Sequence, residues 1–217
     1  MAGKIIAIEG VCCAGKTTTV KQLAKHLGAG VIPELPEFGR HLLKPFITGD
    51  AIRDNKQRYI EIEKVRVAGA IGLSQISEYV VLDRTFLSTL ALGYGAIDLI
   101  GRSAYAGLVE KIVRAMDDES LTPPDKTLYL NIGSNTVNER NKTRVPPLDE
   151  YWVNPDRIER QNEFYRSLSE ASGIEIIDGN RPREDVLADC ITHSVTHTDS
   201  GGMPLTVALE KFSGRIA

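Results

Sequence analysis

Eight residues near the start of the chain, Gly10-Val11-Cys12-Cys13-Ala14-Gly15-Lys16-Thr17, combine the types that hold a polyphosphate. The two glycines admit backbone conformations that aim successive N–H groups inward, and a helix N-terminus behind them adds partial positive charge. Lys16 would reach the terminal phosphates and the Thr17 hydroxyl would ligate Mg²⁺, while Gly10, Cys13, Ala14, Gly15 and Thr18 would surround the nucleotide. Such a loop must join a strand to a helix. The apolar run "KIIAIEG" precedes it, and Val20, Leu23, Ala24 and Leu27 follow at helical spacing up to Gly28.

Other nucleotide-binding classes lack their marks here. The nearest approach to a guanine-reading Asn-Lys-x-Asp is "NKTR" at Asn141 to Arg144, and "LSQIS" at Leu73 to Ser77 is no LSGGQ-like signature. A second chemical signal is "VVLDR", an apolar run with Asp83 and Arg84 at its end. Phosphoryl transfer depends on positioning and dispersed positive charge, so Lys, Arg and Mg²⁺ suffice for it.

These residues need a scaffold. Short apolar runs at "KIIAIEG", "GVIPELPEF", "EYVVLDR", "PPDKTLYLNI" and "GIEIIDG" read as five strands. Between them lie helical stretches: "GRHLLKPFITG", the long "NKQRYIEIEKVRVAGAIGLSQIS", "TFLSTLALGYGAI", "AYAGLVEKIVRAMDD", "NTVNERNKTR" and "PDRIERQNEFYRSLSEA". "VPPLDEYWVNP" reads as a loop, "REDVLADCITHSV" as a last helix, and "TDSGGMPLTVALEKFSGRIA" has no clear place. Strands alternating with helices predict an α/β fold, a three-layer sandwich around a five-stranded parallel sheet. Ligands of such sheets bind beyond the carboxyl ends of the strands, where Glu9, Glu34, Asp83 and Asp178 fall.

The 217 residues are 42% hydrophobic and 25% charged, with a net charge of −3. That balance supplies no field for a nucleic-acid polymer or an anionic membrane, so an anion must be held by a local cluster of Lys and Arg. No apolar run approaches the length of a membrane span. The first apolar run leads into the glycine loop and reads as a strand, not a leader. Three cysteines make no disulfide framework, and a cytoplasmic setting is expected. Cys12 and Cys13 with distant Cys190, or His193 with His197, lack the ligands of a zinc site. A helix N-terminus lowers thiol pKa, so a redox-sensitive thiol in the loop stays open.

The loop, "VVLDR", "PPDKTLYLNI" with the Arg-bearing helix after it, and the closing "IEIIDGNRPREDV" resemble the thymidylate kinase and deoxynucleoside kinase group of P-loop phosphotransferases, from about Lys4 to Asp189. The resemblance implies a kinase domain over 1–197 with a lid around 135–157, a tail over 198–217, ATP and Mg²⁺ as cofactors, a small-molecule acceptor, and pairing of two copies through helices. It gives Asp83 a role in organising Mg²⁺ and Arg84 contact with phosphate at the reacting centre. Arg66 would clamp the phosphate of the acceptor. Arg140 and Arg144 would be lid arginines, one near adenine and one near the transferred group.

The acceptor pocket departs from the thymidylate kinases. Cys12 stands where they place an Asp near the acceptor sugar, Ile62 where a Phe stacks on thymine, and Leu92-Gly93 where a Tyr-Gln type of pair is found. Glu34 resembles the general base of deoxynucleoside kinases. Two acceptors therefore follow: a nucleoside monophosphate held by Arg66, preferred on spacing, or a hydroxyl compound deprotonated by Glu34, since only a hydroxyl needs a base. A nucleotide-binding switch without an acceptor is the reading from outside enzymology.

Overall fold

Strand β1 (Lys4–Gly10) alternates strictly, with Ile6 and Ile8 packed on one face of the sheet and Ala7 and Glu9 turned to the other. The structure, a computed structural model, describes residues 2–34, 49–169, 171, 173–196 and 202–216, and the backbone alone within 49–57. Strands β2 (Gly30–Ile32), β3 (Tyr79–Asp83), β4 (Lys126–Asn131) and β5 (Ile174–Asp178) complete one parallel sheet in the order β2-β3-β1-β4-β5. The register sets Ile8 beside Asp83 and Gly10 beside Leu130, so the first glycine of the loop, Asp83 and Asn131 share the carboxyl edge.

Helix α1 (Lys16–Leu27) packs on the face carrying Ile6, Ile8, Val81, Leu128 and Leu130. Its C-terminus closes on Gly28 in the left-handed conformation that glycine adopts without penalty. Strand β2 is shorter than its apolar pattern, for it ends before Pro33, which has no N–H for a ladder. The stretch "GRHLLKPFITG" lies outside the described residues up to Gly49, where α2 (Gly49–Ser74) starts; this helix begins before the expected segment and runs through Gly69 and Gly72.

The opposite face carries the larger apolar cluster. Here α3 (Phe86–Gly95), α4 (Ile97–Ile100), α5 (Arg102–Asp117) and α8 (Pro155–Ser167) enclose Leu87, Leu90, Tyr105, Ile112 and Phe164, with Tyr129 from the sheet. Helix α6 (Ser134–Lys142) follows β4, and the segment read as a loop holds a short helix, α7 (Glu150–Val153). Helix α9 (Arg183–Val195) packs against α1.

The unplaced tail is a finding of the structure. Residues Leu205–Ile216 form α10, whose Ala208, Leu209 and Phe212 are buried against α5 and α8. Among the described residues, no helix is long and apolar enough to cross a membrane.

Candidate active site

The phosphate loop turns through two left-handed positions, Cys13 at φ 59° and Gly15 at φ 92°. At Gly10, whose φ is 156°, a Cβ would lie 3.0 Å from the Leu130 carbonyl oxygen, so the close approach of β1 and β4 requires glycine. Gly15 is the N-cap of α1 and supplies no side-chain acceptor, and no acidic residue occupies the first turn. The amide donors of this helix start therefore remain available to an anion.

Lys16 is 5% exposed and donates from Nζ to the Val11 carbonyl at 2.6 Å. Burial, and then the charge of Arg84, push its pKa down to about 7. A polyphosphate in the loop would restore the ammonium form by placing negative charge beside it. Thr17 donates from Oγ1 to Asp83 Oδ2 at 2.7 Å, while Asp83 Oδ1 is buried with no hydrogen-bond partner.

A hydroxyl and a carboxylate with a free oxygen make a hard, oxygen-only set suited to Mg²⁺. Thr17 and Asp83 would hold the ion, directly or through water. Bound there, it would neutralise charge on the β- and γ-phosphate oxygens.

Arg84 follows Asp83 in a left-handed conformation, φ 68°, that costs an L-residue about 1 kcal/mol or more. Its amide donates to Ile8 O at 3.1 Å. Its guanidinium donates from Nε to Glu34 Oε2 at 3.0 Å and from Nη1 to Ser88 Oγ at 3.0 Å and Gly10 O at 3.3 Å. Glu34, Arg84 and the start of the phosphate loop thus meet at one point.

Arg66, expected at the acceptor's phosphate, lies inside the protein. It has no solvent exposure, and it donates from Nε to Pro33 O at 3.0 Å, from Nη1 to Glu63 Oε1 at 2.5 Å, and from Nη2 to the carbonyls of Asp83 and Arg84 at 2.8 and 3.0 Å. Four of its five N–H donors serve the protein, tying the end of β2 to the end of β3. In this arrangement the guanidinium is turned to the protein's own oxygens. Its partner Glu63 is 1% exposed, and burial pushes that carboxyl up to about 7 despite Arg66. Ile62 is buried in α2.

The two arginines expected in a lid separate. Arg140 donates to Cys13 O at 3.2 Å and Gly179 O at 2.9 Å, bridging the phosphate loop and the turn after β5. Arg144 is exposed beyond the end of α6, and no side-chain hydrogen bond or ion pair holds it among the described residues. The structure does not bring it to the loop.

Cys12 donates from Sγ to the main-chain oxygen of Trp152 at 2.8 Å, joining the loop to α7. Burial, then Cys13 beside it, push its pKa up to about 11, so desolvation outweighs the helix N-terminus and the thiol is poorly suited to redox chemistry. Arg157 lies 4.3 Å over the Tyr151 ring, and Tyr151 meets Trp152 edge to face, so these aromatics pack between α7 and the start of α8. His193 stands 3.8 Å from Glu175, His197 lies outside the described residues, and no group of three metal-binding side chains occurs among those described.

Ser88 was passed over by sequence reasoning, and Glu9 was placed at a strand's carboxyl end without a partner. Glu9 Oε1 accepts from the Thr85 amide and hydroxyl, both at 2.7 Å, and Oε2 accepts from Ser88 Oγ at 2.5 Å. A signal existed, since an acid inside a buried strand demands buried partners.

The comparisons agree with this geometry. No protein-family model matches the chain. It is 28% identical to a thymidylate kinase of Xanthomonas campestris pv. campestris over 224 aligned positions, covering 91% of this chain and 90% of the relative. A probable thymidylate kinase of Metallosphaera sedula is 25% identical over 190 positions, covering 83% and 86%. Among solved structures, deoxyadenosine kinase of M. mycoides with the products dCMP and a flexible dCDP aligns with a TM-score of 0.65 at 19% identity, covering 87% and 97%. The same kinase with bound dATP aligns with a TM-score of 0.61 at 18% identity. The chain is thus similar in sequence to thymidylate kinases over most of its length and shares the fold of a deoxyadenosine kinase.

Proposed function

We propose that the protein transfers the γ-phosphoryl group of ATP to a hydroxyl of a small molecule of nucleoside type, with Glu34 as general base. The observation that carries this reading is the Glu34–Arg84 pair, 3.0 Å apart and in contact with the phosphate loop through Arg84 and Gly10. The acceptor oxygen attacks the γ-phosphorus, its proton passes to a Glu34 carboxylate oxygen, and the bond to the β-phosphate oxygen breaks to release ADP. Lys16 and Arg84 neutralise the moving charge, and Thr17 and Asp83 hold Mg²⁺. Arg140, between the loop and the turn after β5, borders the adenine. The dCMP named as a product in the neighbouring kinase structure is a phosphorylated nucleoside, which agrees with such an acceptor.

A second reading, transfer to a nucleoside monophosphate, is favoured by the names of the sequence relatives. Sequence spacing also favours it, through the short helix "GRHLLKPFITG" and the lid; the commitment of Arg66 to internal partners weighs against it.

The deciding experiment measures ADP release from Mg-ATP with a panel of nucleosides, nucleoside monophosphates and sugar-like alcohols. Stimulation by hydroxyl compounds, lost in Glu34→Gln, is the expected result. Stimulation confined to monophosphates and retained in Glu34→Gln overturns the proposal in favour of the second reading. ATP hydrolysis that no acceptor stimulates would identify a switch.

A further inference from the structure

Arg84 has to present its guanidinium at a fixed place. Its side chain is long and loses rotamer freedom when ordered. If that ordering occurred only during the reaction, the cost would fall on the transition state. Glu34 on one side is half-buried and, in the proposed reaction, must be free to take a proton. Something else has to hold the arginine.

The opposite side supplies it. Ser88 sits one helical turn after Arg84, at the start of α3, and its hydroxyl makes two bonds of opposite sense. It donates to Glu9 Oε2 at 2.5 Å and accepts from Arg84 Nη1 at 3.0 Å. Glu9 is itself immobile. It lies in the middle strand of the sheet with no solvent exposure, and its other oxygen is fixed by the amide and hydroxyl of Thr85. A hydroxyl donating to a carboxylate becomes a better acceptor, because the shifted electron density strengthens the next bond in the chain. Three hydrogen bonds offset the cost of burying the Glu9 charge, but packing alone gives no reason for a carboxylate here.

We propose that Glu9 and Ser88 are positioning residues for Arg84: Glu9 orients and polarises the Ser88 hydroxyl, which fixes the guanidinium at the mouth of the phosphate loop. This rests on the reading that Arg84 acts at the reacting phosphate. Neither Glu9 nor Ser88 touches substrate. Because Glu9 immediately precedes Gly10, the strand that opens the phosphate loop also sets the arginine that faces it.

The test uses the full chain with Ser88→Ala, Ser88→Thr and Glu9→Gln. The Arg84 Nη1 protons, which bond to Ser88 and not to Glu34, are followed by ¹H–¹⁵N NMR as one signal assigned by its disappearance in Arg84→Lys. With the relay intact this signal is protected from water exchange. In Ser88→Ala and Glu9→Gln it exchanges at least about tenfold faster, kcat falls between about tenfold and a hundredfold, and KM for ATP moves within about twofold. Ser88→Thr, which keeps the hydroxyl, restores both. An Arg84 signal equally protected in the parent, Ser88→Ala and Glu9→Gln overturns the proposal, as does a parent signal with no protection. Thermal unfolding, measured alongside, separates a loss of folding, which would raise exchange throughout the molecule, from release of Arg84 alone; the former result overturns the positioning role. If the parent shows no acceptor-stimulated turnover, the proposed reaction fails and the NMR signal alone decides the relay.

Discussion

Arg66 donates to the main-chain oxygen of Asp83 at 2.8 Å from a position with no exposure to solvent. The bond joins helix α2 to the strand end that carries the candidate metal ligand, and the same guanidinium reaches Pro33 and Arg84. Glu34 and Arg84 stand on two separate strand ends, and Arg66 is the fastening between them.

Arg66→Ala should therefore be a stability variant first. It would leave the Glu63 carboxylate buried without its charge partner, a loss of about 3–5 kcal/mol for a broken buried pair. Urea unfolding followed by circular dichroism measures it. A midpoint equal to that of the parent, with only a raised acceptor KM, would return Arg66 to the acceptor site.

Asp83→Asn should separate metal use from folding. The Asn carbonyl can still accept from Thr17, but the second oxygen, now an amide nitrogen, no longer serves a cation. The Mg²⁺ concentration needed for half-maximal turnover should rise between about tenfold and a hundredfold, with the unfolding midpoint of the metal-free protein unchanged or higher. Titration of Mg²⁺ at fixed ATP reads the first, and differential scanning fluorimetry the second.

Cys12 gives a pH prediction. With its pKa pushed up to about 11 from 9.0, its thiolate fraction at pH 8 is about a hundredfold below that of an unperturbed thiol. Alkylation by iodoacetamide should be slower by that factor and should quicken about tenfold for each pH unit up to about 11, because the proton must leave before the sulfur attacks. Peptide mapping by mass spectrometry follows it. A rate that levels off below pH 9 would contradict the burial argument.

The Cys12 bond to the Trp152 carbonyl can be read from the lid side. Trp152 is the single tryptophan of the chain, so its fluorescence reports on α7. Cys12→Ala removes the donor and should shift the emission of the free protein, whereas Cys12→Ser keeps a hydroxyl donor and should leave it near the parent. Identical spectra in both variants would count against the contact as a lid fastening.

Helix α10 is predicted to be part of the folded core. Phe212 is buried with its ring edge-on to Tyr94 at 4.9 Å and to Phe164 at 5.3 Å. Phe212→Ala should cost about 3–5 kcal/mol in urea unfolding, the range for a large buried aromatic. A loss below about 1 kcal/mol would make α10 an accessory segment.

What could be read without coordinates was local. The phosphate loop is contiguous, and its glycines, Lys16 and Thr17 declare themselves because one turn between a strand and a helix must contain them all. The strands were legible because burial on both faces of a parallel sheet leaves short apolar runs, and α1 because its apolar residues recur at helical spacing and stop at Gly28. Asp83 and Arg84 followed from standing at the end of such a run.

Partnership was not legible. Arg84 and Glu34 are 50 residues apart, Thr17 and Asp83 are 66, and Glu9 and Thr85 are 76. Which of two arginines faces the acceptor and which is consumed inside depends on how α2 lies across the ends of β2 and β3, and no local preference encodes that. The tail shows the same limit: its apolar spacing is helical, yet its place became definite only with α5 and α8 to cover it. By itself the sequence determined where the residue types that hold a polyphosphate lie, since that chemistry is carried by adjacent residues and the backbone between them. Tertiary structure alone decided that Glu34 meets the Arg84 guanidinium while Arg66 is turned to main-chain oxygens and Glu63, because a buried guanidinium binds whatever oxygens the fold brings within reach.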